Sequence, residues 1–322
     1  MARRLRRTGP RGARVTRLVA SPPLVASCAQ ELLCIDREVP RPPASGQGAA
    51  RLEPAVPSAG STQQCTPLTP QQGAPPMDLP ARVGPEDIHH ASAELDRRGA
   101  VILAGYGSSG DALTVAAAQV LGSRLSRLFP QRVRASYDGG PVHLHADSLD
   151  LTVDIGGVRH RRRHPDEDYV LIQCLKAAPA GGDSFALDAY RFADACRTAD
   201  PELWRFLTTQ DVDLYGAWPH LRGLPASPRV ARHIEYTRTG RRIVRRTDGA
   251  VPLHRDPDLE HVRTMLDRFA KIVHEEEPPL PRFRLGEGDI LVLDNYRVWH
   301  GRDAHTGERA VRILTVCSSD AR

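Results

Sequence analysis

Residues 286–315 read GEGDILVLDNYRVWHGRDAHTGERAVRILT, and the placement of apolar runs and breakers in them decides the fold. His300 is expected to close a strand-like run that begins at residues 289–295, and Gly301 follows that histidine directly. Residues 310–317 form another, and from the residue before it onward Arg309, Val311 and Ile313 alternate with Arg312 and Leu314. Far upstream, residues 142–147 read VHLHAD. In an extended strand, residues two apart point to the same side, so Val142, Leu144 and Ala146 share one face and His143, His145 and Asp147 the other. His145 and Asp147 can then reach one metal together. With His300 they make two imidazoles and a carboxylate, the set that holds Fe(II) on one triangular face and leaves the opposite positions open. His143 shares the face of His145 and competes with it. The H-x-D spacing favours His145 and leaves His143 as a neighbour that packs or hydrogen-bonds near the metal.

Between these blocks the chain alternates short strands with a few helices. Residues 85–98 carry a helical pattern (Ile88, Ala91, Leu95), then a short apolar strand at 100–104 and a second helix at 111–121, with Asp111 placed to cap it. Residues 149–155 alternate without a fault and run through Gly156-Gly157 into the basic segment Arg159-His160-Arg161-Arg162-Arg163-His164, which predicts a β-hairpin with a two-residue turn. The return strand reads either as an edge protected by charge or as a lid over an anionic substrate, and the first reading is preferred. Further strands are expected at 170–175 and 235–247, helices at 190–196, 201–207 and 256–274, the last ended by Pro278-Pro279. This mixture is mainly β and predicts a double-stranded β-helix, or jelly roll, with flanking helices.

Two stretches carry a resemblance to a known family. Residues 169–190, YVLIQCLKAAPAGGDSFALDAY, resemble the segment after the first ligands in taurine and γ-butyrobetaine dioxygenases, and residues 286–315 resemble the distal-histidine block of the same family. The blocks come in the family's order, and the likeness extends over roughly the last three quarters of the chain. The sequence thus resembles the TauD/TfdA type of Fe(II)- and 2-oxoglutarate-dependent dioxygenase. That resemblance implies an enzyme in which His145, Asp147 and His300 bind Fe(II), with 2-oxoglutarate and O2 as co-substrates. It implies oxidation, most simply hydroxylation, of an unactivated C–H in a small polar, amino-acid-like molecule, with release of succinate and CO2. Family halogenases carry a small residue where Asp147 stands, so the carboxylate favours hydroxylation, desaturation or a related oxidation.

The far carboxylate of 2-oxoglutarate needs a fixed cation, and the forked donors of arginine suit it. Arg309 stands at the family's position, with Arg312 as rival. If Val311 and Ile313 face the core, only Arg309 points inward. Ile313 occupies the place of a second family arginine, which weakens the case for a sulfonate substrate. Ser184 stands where taurine enzymes have a threonine that meets the same carboxylate, although a turn-capping role suits it nearly as well. Asn295 and Arg302 match the family's block and are expected to steady the His300 turn, with Asp188 and Asp294 as possible partners. Tyr106, Tyr137, Tyr215 and Trp218 are candidates for substrate contact by family topology alone. A jelly-roll protein kept only as a ligand-binding shell is the alternative, but such a shell has no need of the complete residue set.

Charge and composition divide the chain at about residue 77. The whole chain is +5 and the first 77 residues, with ten Arg against four acids, are +6, so the remainder is −1. The high pI therefore belongs to the first segment and gives no reason to expect nucleic-acid binding by the rest. Twelve of the 27 prolines also precede Met77, among Gly, Ser, Gln and Ala. Residues 1–77 are expected to be a disordered basic tail and 78–322 the oxygenase domain. Arg3-Arg4-Leu5-Arg6-Arg7 and Cys28 faintly suggest an export signal, but Arg17 and Pro22-Pro23 interrupt its apolar centre. An alternative is that Met77 is the initiator. Cys28, Cys34, Cys65, Cys174, Cys196 and Cys317 form no paired framework, which suits a reduced, cytoplasmic protein. No apolar run approaches a membrane span.

Overall fold

The computed structural model describes residues 79–164, 167–218 and 229–321, with the backbone path alone for 149–155 and 159–164. The expected tail, including Cys28, Cys34 and Cys65, lies outside the described residues.

Two sheets position the site. The larger has eight strands, running in order through Ala81–Val83, Ala100–Leu103, Ile290–Asp294, Tyr169–Lys176, His305–Ser318 and Leu125–Leu128, with Arg132–Gly139 and Ala180–Gly181 also paired to His305–Ser318. The smaller has three: Ser184–Asp188, Val298–Arg302 and Val142–His145, all antiparallel. The fold is thus mainly β, with helices packed outside.

Strand alternation sorts the core into layers. On one face of the large sheet Val101, Leu103, Leu171, Ile290, Val292, Leu314 and Val316 pack under the helices Ala91–Arg98 and Gly110–Leu121. On its other face Ile102, Val170, Ile172, Leu291, Leu293, Val311 and Ile313 meet Ala186 and Val298 of the small sheet. The outer face of the small sheet gives Leu144, Phe185, Leu187 and Trp299 to a third cluster with the helices Ala189–Ala199, Pro201–Thr209 and Leu259–Glu276. Trp299 is fully buried, donates from Nε1 to Val244 O at 2.9 Å, and packs against Phe192 and Phe269.

Several expectations are met in detail. The hairpin Leu149–Ile155/Val158–His164 closes with Ile155 opposite Val158, and both Gly156 and Gly157 have positive φ, the requirement of its tight turn. Three details differ. His300 does not close the run at 289–295: a turn at 295–297 sends the chain out of the large sheet, and His300 sits in its own strand, Val298–Arg302, in the small one. The helix Gly110–Leu121 is capped by Ser109, whose side chain accepts from Ala112 N, because Asp111 already lies inside the first turn. Residues 85–98 start as a short 3-10 segment, Pro85–His90, and become α-helical at Ala91.

Candidate functional site

His145 is the last residue of Val142–His145, and antiparallel register sets it directly opposite His300. The imidazole centroids are 4.4 Å apart. Close strand approach makes this possible: a Cβ on Gly301 would come within 2.4 Å of the Phe185 ring and 2.7 Å of Val142 O. Asp147 lies two residues past the strand and is held by backbone bonds. Its N–H donates to Asn295 Oδ1 at 2.8 Å, its carbonyl accepts from Asn295 Nδ2 at 3.0 Å, and Ala146 N donates to Arg246 O at 3.1 Å.

The imidazoles converge on the Asp147 carboxylate. His145 Nε2 is 3.4 Å from Oδ1 and His300 Nε2 is 3.9 Å from Oδ2. One ligand atom from each residue falls within 4.8 Å of the others. A facial set with bonds of roughly 2.1 Å needs donors about 3 Å apart, a side-chain adjustment away. The polar contacts aim the same atoms. His145 donates from Nδ1 to His143 O at 2.9 Å, which turns Nε2 toward the Asp147 carboxylate. Burial and the neighbouring His145 push His300 down to about 4, so it is a neutral imidazole at pH 7. Burial would raise Asp147, but the hydrogen bond from His145 and the charges of the two histidines hold it well below the usual carboxylate range. For His145, burial is outweighed by the hydrogen bond and charge of Asp147, which raise it. The donor set fits a divalent first-row metal.

These three groups line a cavity of about 650 Å³ between the two sheets. Arg309, Val311 and Ile313 line it from the large sheet, whereas Arg312 turns to the other face, donating to Ser108 O and Gln173 Oε1. The alternation expected around Arg309 is therefore present. Arg309 makes no hydrogen bond or ion pair with a described residue, and burial together with the charge of Arg302 lowers its pKa from the usual value. Ser184, nearly buried, lines the same cavity opposite Arg302 in register. Arg302 is spent on the carbonyls of Asp303 and Gly140.

Some expected placements change. Asn295 braces the Asp147 segment and the Glu167 carbonyl, and does not hold the His300 turn. Asp188 caps the helix Ala189–Ala199 and pairs with Arg297, and Asp294 pairs with Arg241. Neither meets Asn295 or Arg302. His143, expected as a hydrogen-bonding neighbour of the site, does line the same cavity, and its bond goes to Glu277, with Nδ1 2.9 Å from Oε2. Of the four aromatic candidates, Trp218 lines the cavity; Tyr215 is buried and stacked on Trp218, Tyr106 packs against the helix-side core, and Tyr137 is 77% exposed.

Two residues had no motif to mark them. Arg246, 6% exposed, lines the cavity with its Nε unpartnered among the described residues and Nη2 2.5 Å from exposed Asp248. Glu167 is buried behind Asp147, and burial and the Asp147 charge push it up to about 8 despite Arg132 at 3.3 Å. The doubled Arg245-Arg246 was visible in the sequence, but nothing in a charge pair tells that both members are buried or that Arg246 is the one lining the cavity.

The taurine catabolism dioxygenase TauD, TfdA family matches residues 64–318. Among solved structures, AAD-2, determined in complex with Mn(II) and N-oxalylglycine, is 13% identical with a TM-score of 0.50, covering 76% of this chain and 92% of its own. A candidate alpha-ketoglutarate-dependent taurine dioxygenase from Burkholderia xenovorans is also 13% identical with a TM-score of 0.50, covering 76% and 89%. PvcB from Pseudomonas aeruginosa, an Fe, alpha-ketoglutarate-dependent oxygenase from an isonitrile synthetic pathway, is 17% identical with a TM-score of 0.48, covering 83% and 99%. No curated protein matches the sequence significantly.

Proposed function

The chain belongs to the taurine catabolism dioxygenase TauD, TfdA family, and from that premise we propose that His145, Asp147 and His300 are the ligands of its catalytic iron. The enzyme is a 2-oxoglutarate-dependent dioxygenase that uses Fe(II), 2-oxoglutarate and O2. The observation that carries the ligand assignment is the convergence of both Nε2 atoms on one ionised carboxylate in the cavity wall. We assign Arg309 and Ser184 to the far carboxylate of 2-oxoglutarate. Arg309 supports this as a cavity cation with no described partner of its own.

When bound, the metal and co-substrate supply the oxidising power: 2-oxoglutarate and O2 become succinate and CO2, and one oxygen atom goes to the substrate. The chain's own residues do the rest. Asn295 fixes the Asp147 backbone, His143 O fixes the His145 tautomer, and Ile172, Leu291, Val311 and Ile313 make an apolar wall in the same cavity. We take the reaction to be hydroxylation of a C–H in a small, amino-acid-like molecule. Arg246 supports that class, as a buried cation whose Nε is open to a carboxylate. Trp218 offers a flat apolar surface in the same cavity.

We assign residues 78–322 to a single jelly-roll domain and 1–77 to its tail. Free, buried Cys174 and Cys196 favour a reducing, cytoplasmic setting. Among the described residues no helix is long and apolar enough to cross a membrane.

The test is anaerobic. Fe(II) and then 2-oxoglutarate are added to the purified protein, and the visible charge-transfer band of the chelate is followed in wild type, His145→Ala and Arg309→Ala. We expect a band in wild type, none in His145→Ala, and a higher 2-oxoglutarate requirement in Arg309→Ala. Equal bands in all three would overturn the assignment.

A further inference from the structure

A second group of candidate metal-binding side chains starts two residues before His145 on the strand Val142–His145. His143, on that strand, meets His274 in the last turn of the helix Leu259–Glu276 and Glu277 just beyond it. One ligand atom from each falls within 4.8 Å of the others. His143 Nδ1 is 2.9 Å and His274 Nδ1 3.5 Å from the same oxygen, Glu277 Oε2. The rings stand edge to face, 5.2 Å apart.

We propose that His143, His274 and Glu277 form a second divalent transition-metal site, of the zinc type and separate from the iron centre. Two imidazoles and a carboxylate are a zinc donor set that leaves a fourth position for water. With metal–nitrogen bonds of roughly 2.0–2.1 Å, tetrahedral donors sit about 3.3 Å apart. The two measured edges, 2.9 and 3.5 Å, lie on either side of that spacing.

The carboxylate is prepared for the role. Glu277 is buried, and its other oxygen accepts from Leu144 N at 2.7 Å, so Oε2 cannot rotate away from the histidines. His143 and His274 are 46% and 67% exposed at their side chains, which gives an ion a way in. The local cation, Arg282, is already engaged by the Glu277 and Leu280 carbonyls and by Asp303. A plain hydrogen-bond bracket between strand and helix would need only His143 and Glu277. It gives no role to His274, three residues before Glu277 on the same helical face.

Binding would replace the His143–Glu277 hydrogen bond by two metal bonds, with the imidazole proton of His143 carried on Nε2 instead of Nδ1. It would also pin the helix end to the strand that holds His145, whose Nδ1 is bonded to the His143 carbonyl.

The experiment is zinc binding to metal-stripped full-length protein, read as stoichiometry by equilibrium dialysis and as the rise in Tm on adding Zn2+. Wild type should take about two equivalents, His274→Ala about one, and His300→Ala about one. Wild type should also gain a zinc-dependent Tm increment that His274→Ala lacks. Glu277→Gln, which keeps an oxygen for Leu144 N and removes the charge, should behave like His274→Ala. Because His274 is exposed, its loss leaves the fold intact, and circular dichroism checks this. Equal zinc uptake by wild type and His274→Ala would overturn the second site whatever His300→Ala does. A loss in His274→Ala with no loss in His300→Ala would support the second site and count against the iron ligands instead.

Discussion

Asn295, 2% exposed, accepts from Asp147 N and donates to the carbonyls of Asp147 and Glu167, closing a bracket across 148 residues of sequence. Removing it as Asn295→Ala leaves three buried or half-buried backbone groups unpaired and should cost about 1–3 kcal/mol of stability. Iron affinity should fall by roughly 10–100-fold, since groups that orient ligands act on that scale. Both are read by urea unfolding and iron titration, and unchanged affinity would remove Asn295 from the site. Arg246→Gln should raise the substrate KM while leaving the 2-oxoglutarate chelate band unchanged, a split that separates substrate recognition from co-substrate binding. His233 gives a pH prediction of known sign. Burial pushes it down to about 4 from an ordinary 6.5, so it folds neutral, its Nδ1 on Arg245 O. The unfolded chain takes the proton first, so this contribution is full above pH 6.5 and lost as pH falls toward 4. Wild type should lose about 2 kcal/mol by pH 5 and roughly 3 by pH 4, relative to His233→Gln. Parallel stability curves for the two proteins would refute it. None of these roles was readable beforehand, because burial and long-range partners are not local properties.

Strands and helices were legible wherever periodicity and breakers agreed. The alternation at 149–155 and the Gly-Gly pair gave the hairpin to the residue. Val311 and Ile313 told Arg309 from Arg312 because a strand's two faces cannot be exchanged. What failed was the strand of His300. The three-residue turn at 295–297 carries the chain from one sheet to the other, and an apolar run looks alike on both sides of such a switch. The pairing of that strand is tight. Gly301→Ala should force Phe185 or the Val142 backbone to move and cost roughly 1–3 kcal/mol, with metal binding weakened in step. Trp299→Ala should cost about 3–5 kcal/mol, because it empties the centre of the outer core and frees Val244 O. Full retention of stability in either variant would contradict the packing described.

At the scale of the whole molecule, the iron chemistry was legible and the substrate was not. Ligand chemistry is carried by a few residue types at fixed spacing. Substrate choice depends on which residues the two sheets bring to the cavity, and Arg246 and Trp218 come there from segments without a motif. A protein beginning at Asp78 should keep the Tm and the chelate band of the full chain, and loss of either would tie residues 1–77 to the enzyme. The opposed register of His145 and His300 also bears on the making of the protein. The two histidines stand face to face across strands that lie far apart in the sequence. A chain emerging from the ribosome exposes His145 and Asp147 long before their partner exists, and long-range pairings of this kind close late. If His145, Asp147 and His300 are the ligands, a nascent chain that stops short of His300 has no complete cage for iron. On the proposed ligand assignment, iron loading would report that the strand Val298–Arg302 has been made and has paired with Val142–His145.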